Sequence, residues 1–411
     1  MHQAVEQSKL TRVRGPLPLL GPAFVASVAY VDPGNFATNI TAGSTYGYLL
    51  VWVVLVANAM AMLIQYLAAK ASIATGESLP ALCRARFSRP TGRLLWLQAE
   101  VVAIATDIAE VLGGALALYL LFGTPLLAGG VITAVVSLGM LGLQRRGHRP
   151  FEALITGMLA IILIGFAYSL VTGGVDVGLL VEGTVPRLAG QDSLLLATGM
   201  LGATVMPHAI WLHGALTQGR YERRTEEQRS AIMRSQRIDV VIAMTIAGLV
   251  NLAMLVIAAQ VLAGPGTPVD TIEGAHAGFE EALGPVAALL FALALLASGL
   301  AATSVGTYSG QVVMEGFLRL QVPLLLRRLI TVVPALVVLA IGVDPTRALV
   351  LSQVVLSFGV PFALIPLVLL TRQRALMGQL VNRPVTTLVA SVVAALIIAL
   401  NAVLVVSVIT G

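Results

Sequence analysis

Two short motifs in this chain bring together side chains that can bind a metal ion. They are Asp-Pro-Gly-Asn at positions 32–35 and Met-Pro-His at positions 206–208. Asp32 offers carboxylate oxygens, Asn35 a neutral amide oxygen and Met206 a thioether sulfur. Hard ions such as Mg²⁺ and Ca²⁺ take oxygen ligands, whereas softer ions such as Mn²⁺, Fe²⁺, Co²⁺ and Cd²⁺ accept sulfur. The combination indicates a site for a divalent transition-metal ion, with Met206 discriminating against Ca²⁺.

Each motif lies in the middle of a long apolar run. Pro33 removes a backbone donor and Gly34 is a poor helix former, and Pro207 interrupts the second run in the same way. We therefore predict two broken helices, whose freed carbonyls, such as those of Ala29 and Ala203, can join the metal site. The alternative is a pair of simple proline kinks without a site. The acid in the first motif favours a site, because a carboxylate within a membrane span is costly and usually functional.

The composition indicates a helical membrane protein. Of the 411 residues, 57% are hydrophobic and 11% are charged, whereas a soluble protein carries about 25% charged residues. The apolar runs approach the roughly 20 residues that cross a bilayer as a helix, and they lack the alternation of barrel strands. The only cysteine, Cys83, excludes a disulfide within the chain. The eleven predicted spans are 17–45, 47–74, 94–121, 125–143, 151–172, 192–219, 237–264, 283–314, 327–342, 346–371 and 385–409.

The loop charges indicate how the chain is oriented in the membrane. Basic residues fill alternate loops: Lys9, Arg12 and Arg14, then arginines within 84–93, 145–149, 220–237, 319–328 and 372–383. The opposite loops carry only Arg187 and Arg347 as bases, and they hold most of the loop acids. We predict a multi-pass protein of the bacterial inner (plasma) membrane, with a cytoplasmic N-terminus and an extracellular or periplasmic C-terminus. The net charge of +5 then reflects topology and contact with anionic lipid, and no nucleic-acid partner is expected.

The two broken spans suggest an internal repeat. They are the first and the sixth, so each half contains five spans. Because five is an odd number, the second half starts from the opposite side of the membrane. Interrupted helices at corresponding positions of two inverted halves mark the binding site of a transporter. We expect an all-α fold with a five-plus-five inverted repeat of the amino-acid-permease-like (LeuT-type) kind and a peripheral eleventh helix. The predicted parts are a cytoplasmic tail at 1–16, repeats at 17–172 and 192–371 joined by an extracellular loop at 173–191, and a cytoplasmic loop with the eleventh helix at 372–411.

The paired motifs resemble those of the Nramp (natural resistance-associated macrophage protein) family of metal-ion transporters. The resemblance extends from about residue 21 to about residue 353 and includes Thr38, Gly43, Gly47, Tyr48, Gln65, Thr75, Gly76, residues 306–311 and 314–317, Arg327, Arg328 and Pro334. The resemblance implies proton-coupled uptake of Mn²⁺, Fe²⁺ and related ions, as in bacterial manganese transporters. It also implies that Asp32, Asn35 and Met206, with the carbonyls of Ala29 and Ala203, are the ligands. One departure is Ala209, where the family often has asparagine after the histidine.

Three acids in the third span suggest a path for protons. Glu100, Asp107 and Glu110 share one helical face, and acids on a membrane helix require partners or a water-filled path. Arg327 and Arg328, at the inner edge of the ninth span, are the available cations. Either these residues form a proton route that includes Glu100, or they form a static salt-bridge network between the two spans.

In the proton-route interpretation, which the resemblance favours, Asp32 or His208 receives the proton. Asp107 and Glu110 then pass it towards Arg328. Histidine titrates near neutral pH, which suits a relay, although His208 could also be merely hydrogen-bonded beside the proline.

Two further polar residues lie within the predicted spans. The amide oxygen of Gln353 could complete the metal's shell when the site closes, and an interhelical hydrogen bond is an equal alternative. His213 is interpreted as structural or gating. Asn401, on the eleventh span, is given no role.

These features predict a proton-coupled symporter that imports divalent transition-metal ions by alternating access. The metal ions and protons are then transported substrates, no cofactor is expected, and one chain is expected to suffice. The main alternative is a sodium-coupled symporter for small organic solutes such as amino acids on the same fold. An enzyme is not expected, because no nucleophile–base pair or metalloprotease spacing is present. A passive channel is a weaker alternative without a ring of charge.

Overall fold

The structure is a computed structural model that describes four stretches of the chain, residues 21–144, 148–218, 226–264 and 269–410. Within these stretches it contains helices and turns and no strand. Eight of the described helices are long and apolar enough to cross a membrane, and shorter apolar helices occupy Pro22–Val31 and Leu126–Gly142. The predicted tail at 1–16 and the basic residues at 145–146 and 220–224 lie outside the described residues.

The described helices, labelled in chain order, are α1 (Pro22–Val28), α2 (Pro33–Tyr46), α3 (Val51–Thr75), α4 (Leu79–Arg86), α5 (Arg89–Phe122), α6 (Leu126–Gln144), α7 (His148–Gly173), α8 (Val177–Glu182), α9 (Gln191–Thr204), α10 (Pro207–Gln218), α11 (Glu226–Val261), α12 (Ile272–Leu283), α13 (Pro285–Leu318), α14 (Leu324–Ala340), α15 (Pro345–Thr371), α16 (Arg374–Met377) and α17 (Pro384–Thr410). Short 3₁₀ turns at Ala29–Val31 and Gly378–Leu380 follow α1 and α16. Eleven predicted spans have counterparts among these helices. The first is α1 with α2, the sixth is α9 with α10, and the others are α3, α5, α6, α7, α11, α13, α14, α15 and α17.

The first span is interrupted where the sequence predicts it. Asp32 has extended backbone angles (φ −78°, ψ 171°), and Pro33 occupies the first turn of α2, where its missing N–H costs nothing. The Oδ1 atom of Asp32 accepts a hydrogen bond from the backbone N–H of Asn35 at 2.8 Å. Asp32 is therefore the N-cap of α2, and the same carboxylate that is predicted to bind metal also stabilises the break.

The sixth span is interrupted in a similar way. Helix α9 ends at Thr204, and Val205 leaves the helical region with φ −101° and ψ 71°. Helix α10 then begins at Pro207. Both predicted interruptions are thus confirmed, and each lies within a fully buried part of the protein.

Close helix packing places the first break beside the acidic face of α5. Helix α13 runs along α5, and α2 packs against α11. A Cβ atom on Gly113 of α5 would lie 2.1 Å from the Cβ atom of Pro33. Only a glycine at this position lets the broken helix approach α5 so closely.

The structure also contains short helices that the sequence analysis placed in loops. These are α4, α8, α12 and α16, and α12 is capped by Thr271, whose Oγ1 atom accepts from the N–H of Gly274 at 3.1 Å. Helix α5 starts at Arg89 rather than at 94, because Ser88 caps it through a bond from the N–H of Thr91. Local side-chain caps extend helices beyond the apolar runs that predict spans.

Candidate metal and proton site

The two breaks meet through the side chain of Asn35. Its Nδ2 atom donates to Oδ1 of Asp32 at 2.8 Å and to the backbone oxygen of Ala203 at 3.0 Å. All three residues are fully buried. The structure therefore brings a carboxylate, an amide and a freed carbonyl together between α2 and α9.

A third helix contributes Gln353 of α15. Its Nε2 atom lies 3.4 Å from Oδ2 of Asp32, so both oxygens of that carboxylate have amide neighbours. A Cβ atom on Gly34 would lie 1.8 Å from the same Nε2 atom. Gly34 therefore weakens the helix at the break and also leaves room for Gln353 beside Asp32.

The amide oxygens of this site receive no hydrogen bond from the described residues. In the described part of the chain neither Oδ1 of Asn35 nor Oε1 of Gln353 has a hydrogen-bond partner, although both atoms are buried. A buried polar atom without a partner is costly. The side-chain amides can also turn to exchange oxygen and nitrogen. A cation near Asp32 would satisfy both oxygens.

Met206 and Ala29 complete the predicted set of ligands. Met206 lies between α9 and α10 and is fully buried, as is Ala29 in the 3₁₀ turn before Asp32. Neither side chain carries an N–H or O–H group, and among the described residues neither takes part in the hydrogen-bond network of the site. No group of three His, Cys, Asp or Glu side chains in the described stretches could hold a metal, so binding would use the mixed set of oxygen and sulfur.

The acids of α5 lie beside α13 and α14. Arg328 donates from Nη1 to Oδ1 of Asp107 at 2.8 Å and to Oγ1 of Thr307 at 3.1 Å, and from Nη2 to Oγ of Ser137 at 3.0 Å. Arg327 forms an ion pair with Glu100. These ion pairs are compatible with both the proton-route and the static-network interpretations.

Glu110 differs from its two neighbours. It is fully buried, and within the described residues no donor bonds to either of its carboxylate oxygens. A Cβ atom on Gly306 would lie 2.8 Å from its Oε2 atom, so the glycine of α13 leaves space for this carboxylate. A buried carboxylate without a donor is costly, so this position calls for a specific role.

His208, two residues after Met206, lies close to α5, the helix that carries the acids. Its Nδ1 atom is 3.4 Å from Oγ1 of Thr106, the residue before Asp107, and its backbone oxygen accepts from Oγ of Ser309 at 2.7 Å. Its Nε2 atom has no hydrogen-bond partner in the described stretches. The sequence analysis did not single out Thr106, which only its position beside Asp107 could have suggested. It included Ser309 only as part of the family-like segment 306–311.

A chain of polar side chains connects Tyr30, in the 3₁₀ turn before Asp32, to the start of α1. Gln65 donates to the hydroxyl of Tyr30, and its Oε1 atom lies 2.7 Å from Nδ1 of His213. Gln236 lies 3.4 Å from Nε2 of His213 and donates to Asp239 at 2.8 Å. Asp239 in turn accepts from the backbone N–H groups of residues 21 and 23. This chain gives His213 a structural setting, and Tyr30, Gln236 and Asp239 were not anticipated.

Asn401 ties the eleventh span to the tenth. It donates from Nδ2 to the backbone oxygen of Ser357 at 3.1 Å, and the hydroxyl of Ser357 lies 3.0 Å from its Oδ1 atom. Ser357 follows Gln353 by one helical turn on α15. The peripheral helix α17 is therefore anchored close to the site.

The fold and the site define the class of the protein: a polytopic helical transporter with an inverted repeat and two discontinuous helices. Comparisons support this. A crystal structure of the Eremococcus coleocola manganese transporter, in complex with an aromatic bis-isothiourea substituted compound, has a TM-score of 0.85 and 33% identity, covering 94% of this chain and 85% of that chain. Mhp1, a nucleobase-cation-symport-1 family transporter, shares the fold with a TM-score of 0.61 at 17% identity, covering 94% of this chain and 92% of that one.

The family is defined by sequence. The model of the natural resistance-associated macrophage protein-like (Nramp) family matches residues 23–407. The divalent metal cation transporter MntH of Bacillus subtilis is 51% identical over 399 residues, covering 97% of this chain and 94% of the relative. MntH of Deinococcus radiodurans is 50% identical over 390 residues, covering 95% of this chain and 89% of the relative. The chain belongs to the Nramp family, as the motifs predicted.

Proposed function

We propose that this protein imports divalent transition-metal ions, with Mn²⁺ and Fe²⁺ as the main substrates, and couples the import to protons. Family membership supports the transport of divalent metal cations, which is what the names of the relatives state. The observation that carries the proposal for this chain is the pair of buried amide oxygens without donors, on Asn35 and Gln353, that flank the carboxylate of Asp32.

The ligands would act as follows. Asp32 supplies the negative charge, Asn35 and Gln353 supply neutral oxygens, and the breaks supply the carbonyls of Ala29 and Ala203. Met206 supplies the soft ligand that Ca²⁺ and Mg²⁺ do not prefer. A carboxylate, which must bind the substrate, argues against an anionic organic solute, so the sodium-coupled alternative has no support from this site.

The proton would leave through α5. A dication at Asp32 stabilises the ionised carboxylate, so metal arrival releases any proton that Asp32 holds. No described residue donates to the carboxylate of Glu110, and this carboxylate would take up the proton. The ion pair of Asp107 with Arg328 then provides a charged exit on the same face. His208 lies on this path as a relay or as a positioning group for Thr106.

The orientation proposed from the loop charges places the start of α1 in the cytoplasm and the end of α17 outside, in the inner membrane of a bacterium. The division of the repeats at 17–172 and 192–371 and the sufficiency of one chain belong to the same proposal. Alternating access would separate α2 from α9 and break the bond between Asn35 and Ala203. No part of the scheme requires a cofactor or an enzymatic step.

The proposal is tested by reconstituting the purified protein in liposomes and measuring Mn²⁺ uptake with and without an inward proton gradient. Ca²⁺ is added as a competitor. We expect faster Mn²⁺ uptake with the gradient, entry of protons with the metal, and little competition by Ca²⁺. An uptake rate that is the same with and without the gradient would contradict proton coupling. Competition by Ca²⁺ as strong as that by unlabelled Mn²⁺ would contradict the role given to the thioether.

A further inference from the structure

A second cavity lies at the proposed cytoplasmic edge of the membrane and is distinct from the metal site. Lys70 of α3, Arg237 of α11 and Arg383, the residue before α17, line it, and its volume is about 550 Å³. No aspartate or glutamate is among the described residues that line it. Three cations without an acid give this cavity a positive potential.

Lys70 is the most unusual of the three cations. Only 5% of its surface is exposed. Its ammonium donates to Oδ1 of Asn382 and lies 5.4 Å from the centroid of the Tyr66 ring. Both neighbours are neutral, and within the described stretches no carboxylate forms an ion pair with Lys70. A buried charge without a counter-charge is costly, so the cavity favours an anion.

Half of the described residues that line the cavity are apolar. Its wall includes Met62 and Leu63, two turns before Lys70 on α3, and Val240 and Val241 on α11. Val241 is 47% exposed on the surface that faces lipid in a membrane protein. The cavity therefore has a cationic end near the helix termini and an apolar end towards the middle of the membrane. A ligand with a charged head and an apolar tail matches both ends.

We propose that this cavity binds the phosphate of an anionic phospholipid from the cytoplasmic leaflet, with the first part of an acyl chain along the apolar wall. Arg237 and Arg383 provide forked donors that suit a phosphate group, and Lys70 provides a point charge. Basic pockets between membrane helices on the cytoplasmic side suit such head groups. The proposal rests on the orientation given above and does not depend on metal transport.

The position of the cavity gives the lipid a structural consequence. Helix α3 belongs to the first repeat, α11 to the second, and α17 is the peripheral eleventh span. A bound lipid would therefore hold both repeats and the eleventh span together at their cytoplasmic ends. The cavity volume of about 550 Å³ lies within the roughly 300–1,000 Å³ of small-ligand sites.

The test uses the full chain, delipidated in detergent, with native mass spectrometry as the readout. Dioleoyl phosphatidylglycerol is compared with dioleoyl phosphatidylcholine, and glycerol 1-phosphate serves as a phosphate head without acyl chains. We expect phosphatidylglycerol to bind about tenfold more tightly than phosphatidylcholine, and the R237Q/R383Q double variant to lose about tenfold in that affinity. The R372Q variant, which removes an exposed arginine outside the cavity, should bind as the parent does.

Three outcomes would overturn the proposal. The first is equal binding of the two phospholipids, and the second is unchanged binding by R237Q/R383Q. The third is binding of glycerol 1-phosphate as tight as that of phosphatidylglycerol, which would define a free-anion site instead. A K70Q variant probes the buried charge directly. Since Lys70 is buried and its variant can fail to fold, the two exposed arginines keep the test decisive.

Discussion

The side-chain Nδ2 atom of Asn35 donates a hydrogen bond to the backbone oxygen of Ala203 at 3.0 Å. This bond joins α2, the second half of the first span, to α9, the first half of the sixth span. The same amide group donates to Asp32. Asn35 therefore links the carboxylate of the site to the contact between the halves. Metal binding would turn the amide oxygen inward, and separation of α2 from α9 would break the same bond. We therefore propose that this one side chain couples the two events.

Replacing Asp32 by asparagine should abolish Mn²⁺ transport. The substitution keeps an oxygen that can cap α2 but removes the negative charge of the ligand set, and we expect a loss of about 100-fold or more in initial uptake, equivalent to roughly 3 kcal/mol. Uptake into proteoliposomes measures this. The D192N variant, at an exposed acid in the first turn of α9, is the matched control. Robust transport by D32N would refute the site.

The approach of Gln353 to Asp32 depends on Gly34. The G34A variant places a methyl group 1.8 Å from the native position of Nε2, so Gln353 must move away and the apparent affinity for Mn²⁺ should fall about tenfold, as a lost ligand would predict. The Q353A variant should show a similar loss, and the double variant should be no worse than Q353A alone, since the two changes share one contact. G139A, where a Cβ would have no described atom within 4 Å, is the control. Additive losses would mean that Gln353 is not the group displaced.

The breaks could be predicted because proline acts locally. Pro33 and Pro207 interrupt helices through their own geometry, and the sequence shows them without any knowledge of packing. The same holds for the existence and order of the spans, which follow apolar composition. The caps at Ser88 and Thr271 extended or created helices that composition alone did not reveal.

The polar contacts that complete the site could not be predicted in this way. The bond of Ser309 to the backbone of His208 joins residues far apart in sequence, and serine is too common in membrane helices to indicate it. The chain from Tyr30 through Gln65 to His213 likewise exists only once three helices are packed. The roles of Asp107, Glu110 and Arg328 stay predictions, because their geometry fits either a route or a network.

Met206 should control which ions enter. In M206A the carboxylate, amide and carbonyl ligands are retained, so Mn²⁺ transport should continue. Without the thioether the remaining set is all oxygen, which suits Ca²⁺, and Ca²⁺ should compete about tenfold better, a difference of roughly 1.4 kcal/mol. Competition uptake measures the ratio. Met200 is buried in α9, before the break that holds Met206, so M200A controls for the loss of volume, and equal selectivity in both variants would contradict the assignment.

The ion pair between Asp107 and Arg328 should be important for stability as well as for any proton route. Arg328 is only 2% exposed, so D107N leaves a buried guanidinium without its counter-charge, which costs roughly 3–5 kcal/mol. Thermal unfolding in detergent should show a clear decrease in the transition temperature. E182Q breaks the exposed ion pair with Arg187, whose side chain is 47% exposed, and should change the transition little. An unchanged transition in D107N would show that Arg328 has other compensation.

Replacing Glu110 by glutamine distinguishes a proton route from a static salt-bridge network. No described residue donates to the carboxylate of Glu110, and Asp107 is its hydrogen-bonding neighbour when Glu110 carries a proton. E110Q keeps the shape of the side chain and a group that can donate to Asp107, but glutamine cannot take up a proton. We expect Mn²⁺ binding to stay within about twofold while the protons that enter per Mn²⁺ fall about tenfold, since a relay step typically contributes tenfold or more. A pH-sensitive dye inside the liposomes and radioactive Mn²⁺ measure the two fluxes together. The E281Q variant, at an exposed acid of α12, should keep the parent's ratio. If E110Q also keeps that ratio, the acids of α5 hold α13 and α14 in place and the proton takes another path.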